Sequence, residues 1–373
     1  MYNISKNKSG HSPDYVFITA IVLLTIFGII FLSSASSDLG KIKFNDTYYY
    51  LKHQIYYGLI LGIIGFIFAS FFHYRHWKRM AVPLLIVGVV SLVLVFTPLG
   101  LSHAGANRWI SLGFFSFQPT ELLKFIFIIY LAAWLSSSRD KNRQMSFFSG
   151  YLPFLTICGA IALLIIIQPS TTAVAIIMLS SLIVYFSSGA RILYVISTIV
   201  LGISALALVI AAAGDYRLER IATFLNPELD TQVTGYQINQ SLIAIGSGGL
   251  PGVGFGKSTA KFKFLPEPIG DSIFAVIAEE LGFIGAGAVM LIFLILVIKG
   301  FLIAKNSRDQ FAKLTAIGFI SIIGIQAFIP IGAISGLIPL TGVPLPFISY
   351  GGTSLAIFLT MAGVIVNISK YTS

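Results

Sequence analysis

Charge is what this chain has least of. Only 10% of its 373 residues are Asp, Glu, Lys or Arg, against 56% hydrophobic. Soluble domains carry roughly 25% charged residues, because a water-facing surface needs them. A chain of this length buries a large core, but these few charges do not cover it. The deficit excludes an ordinary soluble enzyme and is explained if most of the chain sits in hydrocarbon, where a lone charged side chain costs about 2.5–3.5 kcal/mol. Cysteine is nearly absent too. Cys158, the single one, lies in an apolar run, which excludes an internal disulfide and leaves the redox compartment unread. Histidines number five. His73 and His76 bracket Arg75 in a short basic segment, and no Cys/His spacing suits a metal. Nothing resembles a Ser-His-Asp arrangement.

The charge that is present is mostly basic, net +10. Lys and Arg are scattered over short segments without forming a stripe, which argues against nucleic-acid binding and for loops on the cytoplasmic side of a membrane. Near the start, Lys6 and Lys8 precede an apolar run from Tyr15 to about Leu32. That run exceeds the roughly 7–15 residues of a signal-peptide core, so it reads as a retained first helix.

A membrane span needs about 20 mostly apolar residues. Such runs lie at 14–35, 54–73, 79–98, 118–137, 149–168, 170–189, 191–213, 272–303, 311–338 and 349–369. The expected fold is therefore an all-α integral membrane protein of about ten transmembrane helices, a single polytopic domain over 1–373 with no visible boundary or internal repeat. With a cytoplasmic N-terminus, the inside segments hold Lys6, Lys8, Arg75, Lys78, Arg79, Arg139, Lys141, Arg143, Arg191, Lys299, Lys305, Arg308, Lys313 and Lys370, which is 14 of the 24 basic residues. The short outside loops hold only Lys41, Lys43, Lys52 and Arg108. Both termini are then cytoplasmic, which requires an even helix count.

One loop is anomalous. Residues 214–271 form a long extracellular connection between helices seven and eight, and loops beyond about 12–15 residues are usually functional or disordered. It mixes charges with apolar residues, so amphipathic pieces such as Tyr236–Ala244 are expected to lie on the outer leaflet. Its run Gly246–Ser258 looks like a phosphate loop but fails the Gly-x-x-x-x-Gly-Lys-Ser spacing, because Pro251 stands five residues before Gly256.

Few residues are left to carry chemistry. Asp271 stands at the start of helix eight after Pro266-Glu267-Pro268-Ile269-Gly270. It is either an ordinary N-cap or a carboxylate held ionised at the membrane surface, able to act as general base towards a hydroxyl. Glu267 is a second acid four residues earlier. Glu279 and Glu280 follow two turns into the helix. At about 100° per residue only Glu279 shares the face of Asp271, and structural pairing is the alternative for both acids. Glu121 and Lys124, three apart, face one way on helix four. They form a structural pair or line a polar cavity for an anionic headgroup. Arg108, beside Trp109, has the planar fork that suits phosphate, whereas Trp109 alone suits a membrane interface. Lys263 belongs to the same basic outer loop.

Taken together, several segments resemble the SEDS family (shape, elongation, division and sporulation). They are Gly105–Ile110 and Phe117–Lys124, then Gly235-Tyr236-Gln237 with Gln240-Ser241 and Gly246–Leu250, then Phe264–Pro268 through Asp271 to Glu279–Gly282, and finally Gly336–Gly352. The resemblance spans helix three to helix ten. The wording of the outer loop is closer to the division type, FtsW, than to RodA. The resemblance implies a peptidoglycan glycosyltransferase that polymerises lipid II, the undecaprenyl-pyrophosphate-linked disaccharide-pentapeptide, at the outer face of the bacterial cytoplasmic membrane, for cell division or cell shape. It implies Asp271 as the essential residue and Glu121 and Lys124 as a polar pair in the central cavity; Arg108, Lys263, Glu267 and Glu279 join them as candidate cavity or substrate-binding residues on their own charge and placement. It also implies a class B penicillin-binding protein, a transpeptidase, as partner. A divalent cation, Mg²⁺ or Mn²⁺, would neutralise the pyrophosphate leaving group, although the sequence shows no closed metal site. Two departures stand out. Ser170 replaces the aspartate the family commonly has after Gln-Pro, and Gly270-Asp271-Ser272 changes the usual neighbours of the aspartate. Without the resemblance, the same polar helices also fit a lipid flippase, a secondary transporter or a non-catalytic division scaffold.

Overall fold

A computed structural model describes residues 11–103, 106–111, 113, 116–137, 143–212, 224, 234–262 and 264–372. Hydrocarbon offers no partner for peptide groups, so a spanning segment satisfies its own backbone as helix. Eleven long helices result among the described residues. They are α1 (Tyr15–Phe44), α2 (Tyr49–Phe71), α3 (Tyr74–Leu94), α4 (Pro119–Ser136), α5 (Phe147–Ile167), α6 (Thr171–Ser187), α7 (Ile192–Ala212), α8 (Thr234–Gly248), α9 (Ile273–Lys305), α10 (Gln310–Ile334) and α11 (Gly352–Ser369). Eight of these are long and apolar enough to cross a membrane, and the apolar helices α6 and α7 complete the ten expected segments. The chain is an all-α multi-pass membrane protein in architecture.

The helix ends carry local signals. The Asp14 carboxylate caps α1 by accepting from the Phe17 amide at 3.0 Å, and Asp309 caps α10 through Phe311 at 3.0 Å. At 30 residues, α1 is about 45 Å long. Its last turns, with Lys41 and Lys43, rise beyond a hydrocarbon core of about 30 Å. The apolar run alone ends near residue 35 and places those lysines in a loop, whereas the helix carries them.

Burial separates centre from rim. In α4 and α10, 78% of the apolar stretch is buried, against 28% in α2, α3 and α9. Around α10 pack α4, α6 and α9, while α2 lies along α11 and α1 along α9. The rim exposes side chains such as Ile64, Val87, Leu163 and Leu291, as a lipid-facing surface must. Both ends of the chain meet at one end of the bundle. There the His11 amide donates to the Lys370 carbonyl at 2.9 Å, and Lys299 pairs with Asp14 at 3.5 Å.

The opposite end holds three features the apolar runs did not reveal. A three-stranded antiparallel sheet of β1 (Gly100–His103), β2 (Ala106–Ser111) and β3 (Ser116–Phe117) joins α3 to α4, with Leu101 opposite Trp109 and Ile110 opposite Phe117. Asn107-Arg108-Trp109 thus lies on a strand. Helix α8 covers the stretch expected to rest on the outer leaflet, but it packs on α9, with Ile238, Ser241, Ala244 and Gly248 forming its buried face. Finally, α9 is two helices. Gly282 has φ +66° and breaks the run, leaving a buried segment 273–281 ahead of a lipid-facing one.

The glycine-rich loop is built for that break. Phe283 and Ile284 amides donate to the Gly249 and Leu250 carbonyls at 2.8 and 3.3 Å. In return, Val253 and Gly254 amides donate to Glu279 and Glu280 carbonyls at 3.0 Å each. A Cβ on Gly282 would stand 2.3 Å from the Gly252 nitrogen. The loop therefore supplies the partners that the interrupted helix lost.

Candidate active site

The turn 267–272 presents Asp271 at the end of the bundle away from the termini. Pro266 and Pro268 remove two amide donors and stiffen the chain. Glu267 sits at φ +46°, and its carbonyl accepts from the Gly270 and Ser272 amides at 3.0 and 3.2 Å. Its side chain is exposed. The expected N-cap is displaced by one residue. The helix begins at Ile273 and Ser272 occupies the cap position without a side-chain capping bond, because its hydroxyl accepts from Gln237 of α8 at 3.1 Å. Asp271 stands one residue before the cap. It is half-buried, with Oδ2 facing Gly342, 3.6 Å from where a Cβ there would stand.

Segment 339–351 clamps this turn from the other side. The Tyr350 amide donates to the Ile269 carbonyl, and the Ser349 hydroxyl to the Gly270 carbonyl, both at 2.8 Å. Gln54 of α2 brackets the same segment through the Ser349 carbonyl at 3.4 Å and the Gly351 amide at 2.9 Å. Burial pushes the Tyr350 phenol above its ordinary range, with Tyr49 and Tyr50 adding to the effect. The neutral hydroxyl lies 3.0 Å from His53 Nδ1. On α1, Gly28 leaves room for the clamp, since a Cβ there would come within 2.3 Å of the Phe347 carbonyl oxygen.

The other acids separate. Glu279, 2% exposed, is taken up by the turn at 258–260. It accepts from the Ser258 hydroxyl, from the Thr259 amide at 2.9 Å and hydroxyl at 3.1 Å, and from the Ala260 amide at 3.4 Å. It holds the loop and does not meet Asp271 in any of these contacts. Glu280 pairs with Lys261 at 2.8 Å, and both bond the Ser34 hydroxyl of α1, at 2.7 and 2.8 Å. Lys261 was not singled out by the sequence reading. Its only signal is that of a basic residue in a stretch with no acid between Asp230 and Glu267.

Glu121 and Lys124 do pair, at 2.5 Å, inside the bundle. Lys124 also donates to Gln326 of α10 at 2.6 Å. Gln326 was likewise missed, although a glutamine amid the apolar residues of a membrane helix is a signal in itself. Arg108 reaches from β2 to the turn between α5 and α6, donating to the Gln168 carbonyl at 3.2 Å and to the Pro169 carbonyl. That is the turn where Ser170 stands. Lys263 lies outside the described residues. Among those residues no three His, Cys, Asp or Glu side chains come together as a metal cage.

The sequence profile of the FtsW, RodA and SpoVE family, described as cell cycle proteins, matches residues 14–373. The chain belongs to this family. It is 39% identical over 362 residues to stage V sporulation protein E of Bacillus subtilis, covering 97% of this chain and 98% of that one. It is also 39% identical over 358 residues to a protein of Geobacter metallireducens named probable peptidoglycan glycosyltransferase FtsW, covering 95% and 94%. The fold is that of solved relatives. A chain of a peptidoglycan synthase complex that coordinates polymerization and crosslinking superposes with a TM-score of 0.77 at 24% identity, over 97% of this chain and 99% of that one. The rod shape determining protein RodA of Thermus thermophilus gives 0.71 at 24% identity, over 97% and 98%.

Proposed function

We propose that this membrane enzyme polymerises lipid II into glycan strands, as a peptidoglycan glycosyltransferase, with Asp271 as the base. The observation that carries the reading is a half-buried carboxylate on the turn ahead of α9, a turn clamped by segment 339–351 at the end of a membrane bundle that belongs to this family. The sugar hydroxyl of one lipid II approaches Asp271, and its O–H bond breaks as the proton passes to the carboxylate. The oxygen bonds to the anomeric carbon at the end of the growing chain. The bond from that carbon to pyrophosphate breaks, and undecaprenyl pyrophosphate leaves with the electron pair. One displacement suffices, so no covalent intermediate on the protein is required.

The apolar groove of about 620 Å³ between α8, α9 and α10, walled by Phe274, Ala278, Phe283, Met290 and Phe328, suits a polyprenyl tail. Any Mg²⁺ or Mn²⁺ arrives as the counter-ion of the pyrophosphate and belongs to the substrate. The Lys and Arg distribution favours both termini in the cytoplasm and Asp271 outside. A class B penicillin-binding protein transpeptidase is the proposed partner, consistent with the likeness to a synthase complex.

The test is a glycan-chain assay in detergent with purified protein, lipid II, Mg²⁺ or Mn²⁺ and the partner transpeptidase. Polymer is expected from the wild type and none from Asp271→Asn. Equal polymer from both removes Asp271 as the base.

A further inference from the structure

We propose that Gln326 and Ser349 are positioning residues for Asp271, joined in one hydrogen-bonded relay that ties the buried Glu121–Lys124 pair to the peptide bond in front of that carboxylate. The inference rests on the reading of Asp271 as the proton acceptor.

The relay is continuous. Lys124 Nζ, held by Glu121, donates to Gln326 Oε1 at 2.6 Å, and Gln326 Nε2 donates to the Pro344 carbonyl at 3.2 Å. The other side of that same peptide unit is the Leu345 amide, which donates to Ser349 Oγ at 2.9 Å. Because this oxygen already accepts from Leu345, its own proton points to the Gly270 carbonyl at 2.8 Å. That carbonyl shares its peptide plane with the nitrogen of Asp271. Every donor points the same way, from the ammonium towards Asp271, the arrangement in which successive bonds polarise one another.

Ordinary satisfaction of buried polar groups accounts for each bond singly. It does not account for the placing of the groups. Lys124 is 1% and Gln326 0% exposed, and apolar residues of similar volume would fill both sites at no desolvation cost. What the polar pair adds is a fixed address. It links α4 and α10 to the 339–351 segment, and that segment to the Asp271 turn. Breaking any joint frees the Gly270–Asp271 peptide plane to rotate and swings the carboxylate with it.

The experiment measures kcat and KM for lipid II polymerisation in Gln326→Met, Ser349→Ala, Ser349→Thr and the Gln326→Met/Ser349→Ala double variant, with unfolding midpoints recorded alongside. Each of Gln326→Met and Ser349→Ala is expected to lower kcat on the order of 10–100-fold, as an ångström-scale misplacement does. KM should stay within about twofold. The double variant should be no slower than the poorer single, because both break one relay. Ser349→Thr, which keeps the hydroxyl, should recover most of the rate. A folded Gln326→Met with wild-type kcat, in an assay where Asp271→Asn is inactive, overturns the relay and leaves the polymerase reading standing. A double variant whose loss equals the product of the singles also overturns it. If Gln326→Met does not fold, the serine pair decides, and equal rates for Ser349→Ala and Ser349→Thr count against the relay. Activity in Asp271→Asn removes the base reading and the relay's role with it.

Discussion

Glu279 and Glu280 stand side by side in α9, yet their partners come from a loop about twenty positions earlier in sequence and from α1. Long-range pairing of this kind has no local signature. Asp271 was legible because it precedes an apolar run after two prolines, whereas Lys261 and Gln326 were not. The Lys261–Glu280 pair is buried, so removing one partner strands a charge, at about 3–5 kcal/mol. Lys261→Met is expected to lower the unfolding temperature in detergent markedly, and adding Glu280→Leu should restore much of the loss. A double variant as unstable as the single would show that the two charges do not compensate each other. Glu279→Gln loses acceptor capacity towards four donors. It should expose 249–262 to proteolysis, read as faster nicking by an added protease.

At the scale of elements, the ten apolar runs located the ten membrane segments within a few residues, apart from the longer reach of α1 and the starts of α2 and α3 five residues earlier, because a span must be long, apolar and continuous. The sheet escaped notice because strands of 4, 6 and 2 residues make no recognisable alternation. The break in α9 escaped notice for the opposite reason: Glu-Leu-Gly-Phe sits in a run that stays apolar on both sides. Gly282→Ala sets a side chain against the loop backbone at a left-handed torsion, a conformation that alone costs about 1–3 kcal/mol for a residue other than glycine. The substitution is expected to undock 249–254 and lower the unfolding midpoint. Gly28→Ala should push the Phe347–Ile348 backbone away, slow polymerisation by more than about tenfold and lower the midpoint, as overpacking does. Wild-type turnover in that variant would show that the clamp yields without disturbing Asp271.

Across the whole molecule, the parity of the helix count was readable from Lys and Arg alone, and the meeting of His11 with Lys370 agrees with it. The direction through the bilayer is open to a labelling test, helped by the burial of Cys158. In a Cys158→Ser background, Lys257→Cys should react with a membrane-impermeant maleimide from outside intact cells. Asn306→Cys should react only after permeabilisation. The reverse pattern would invert the topology and place Asp271 away from an outer substrate.

The first helix is finished by the last third of the chain. Asp14 waits for Lys299, Ser34 for Lys261 and Glu280, and Gly28 for the backbone at Phe347. About 300 residues separate the end of α1 from that clamp, and a ribosome adds about 5–20 residues per second. For some 15–60 seconds of synthesis, then, α1 lies in the bilayer without the groups that complete it. The Ser34 hydroxyl and the notch at Gly28 stand open to whatever neighbouring helix is nearby. A nascent chain stalled before residue 348 presents an unsealed first helix.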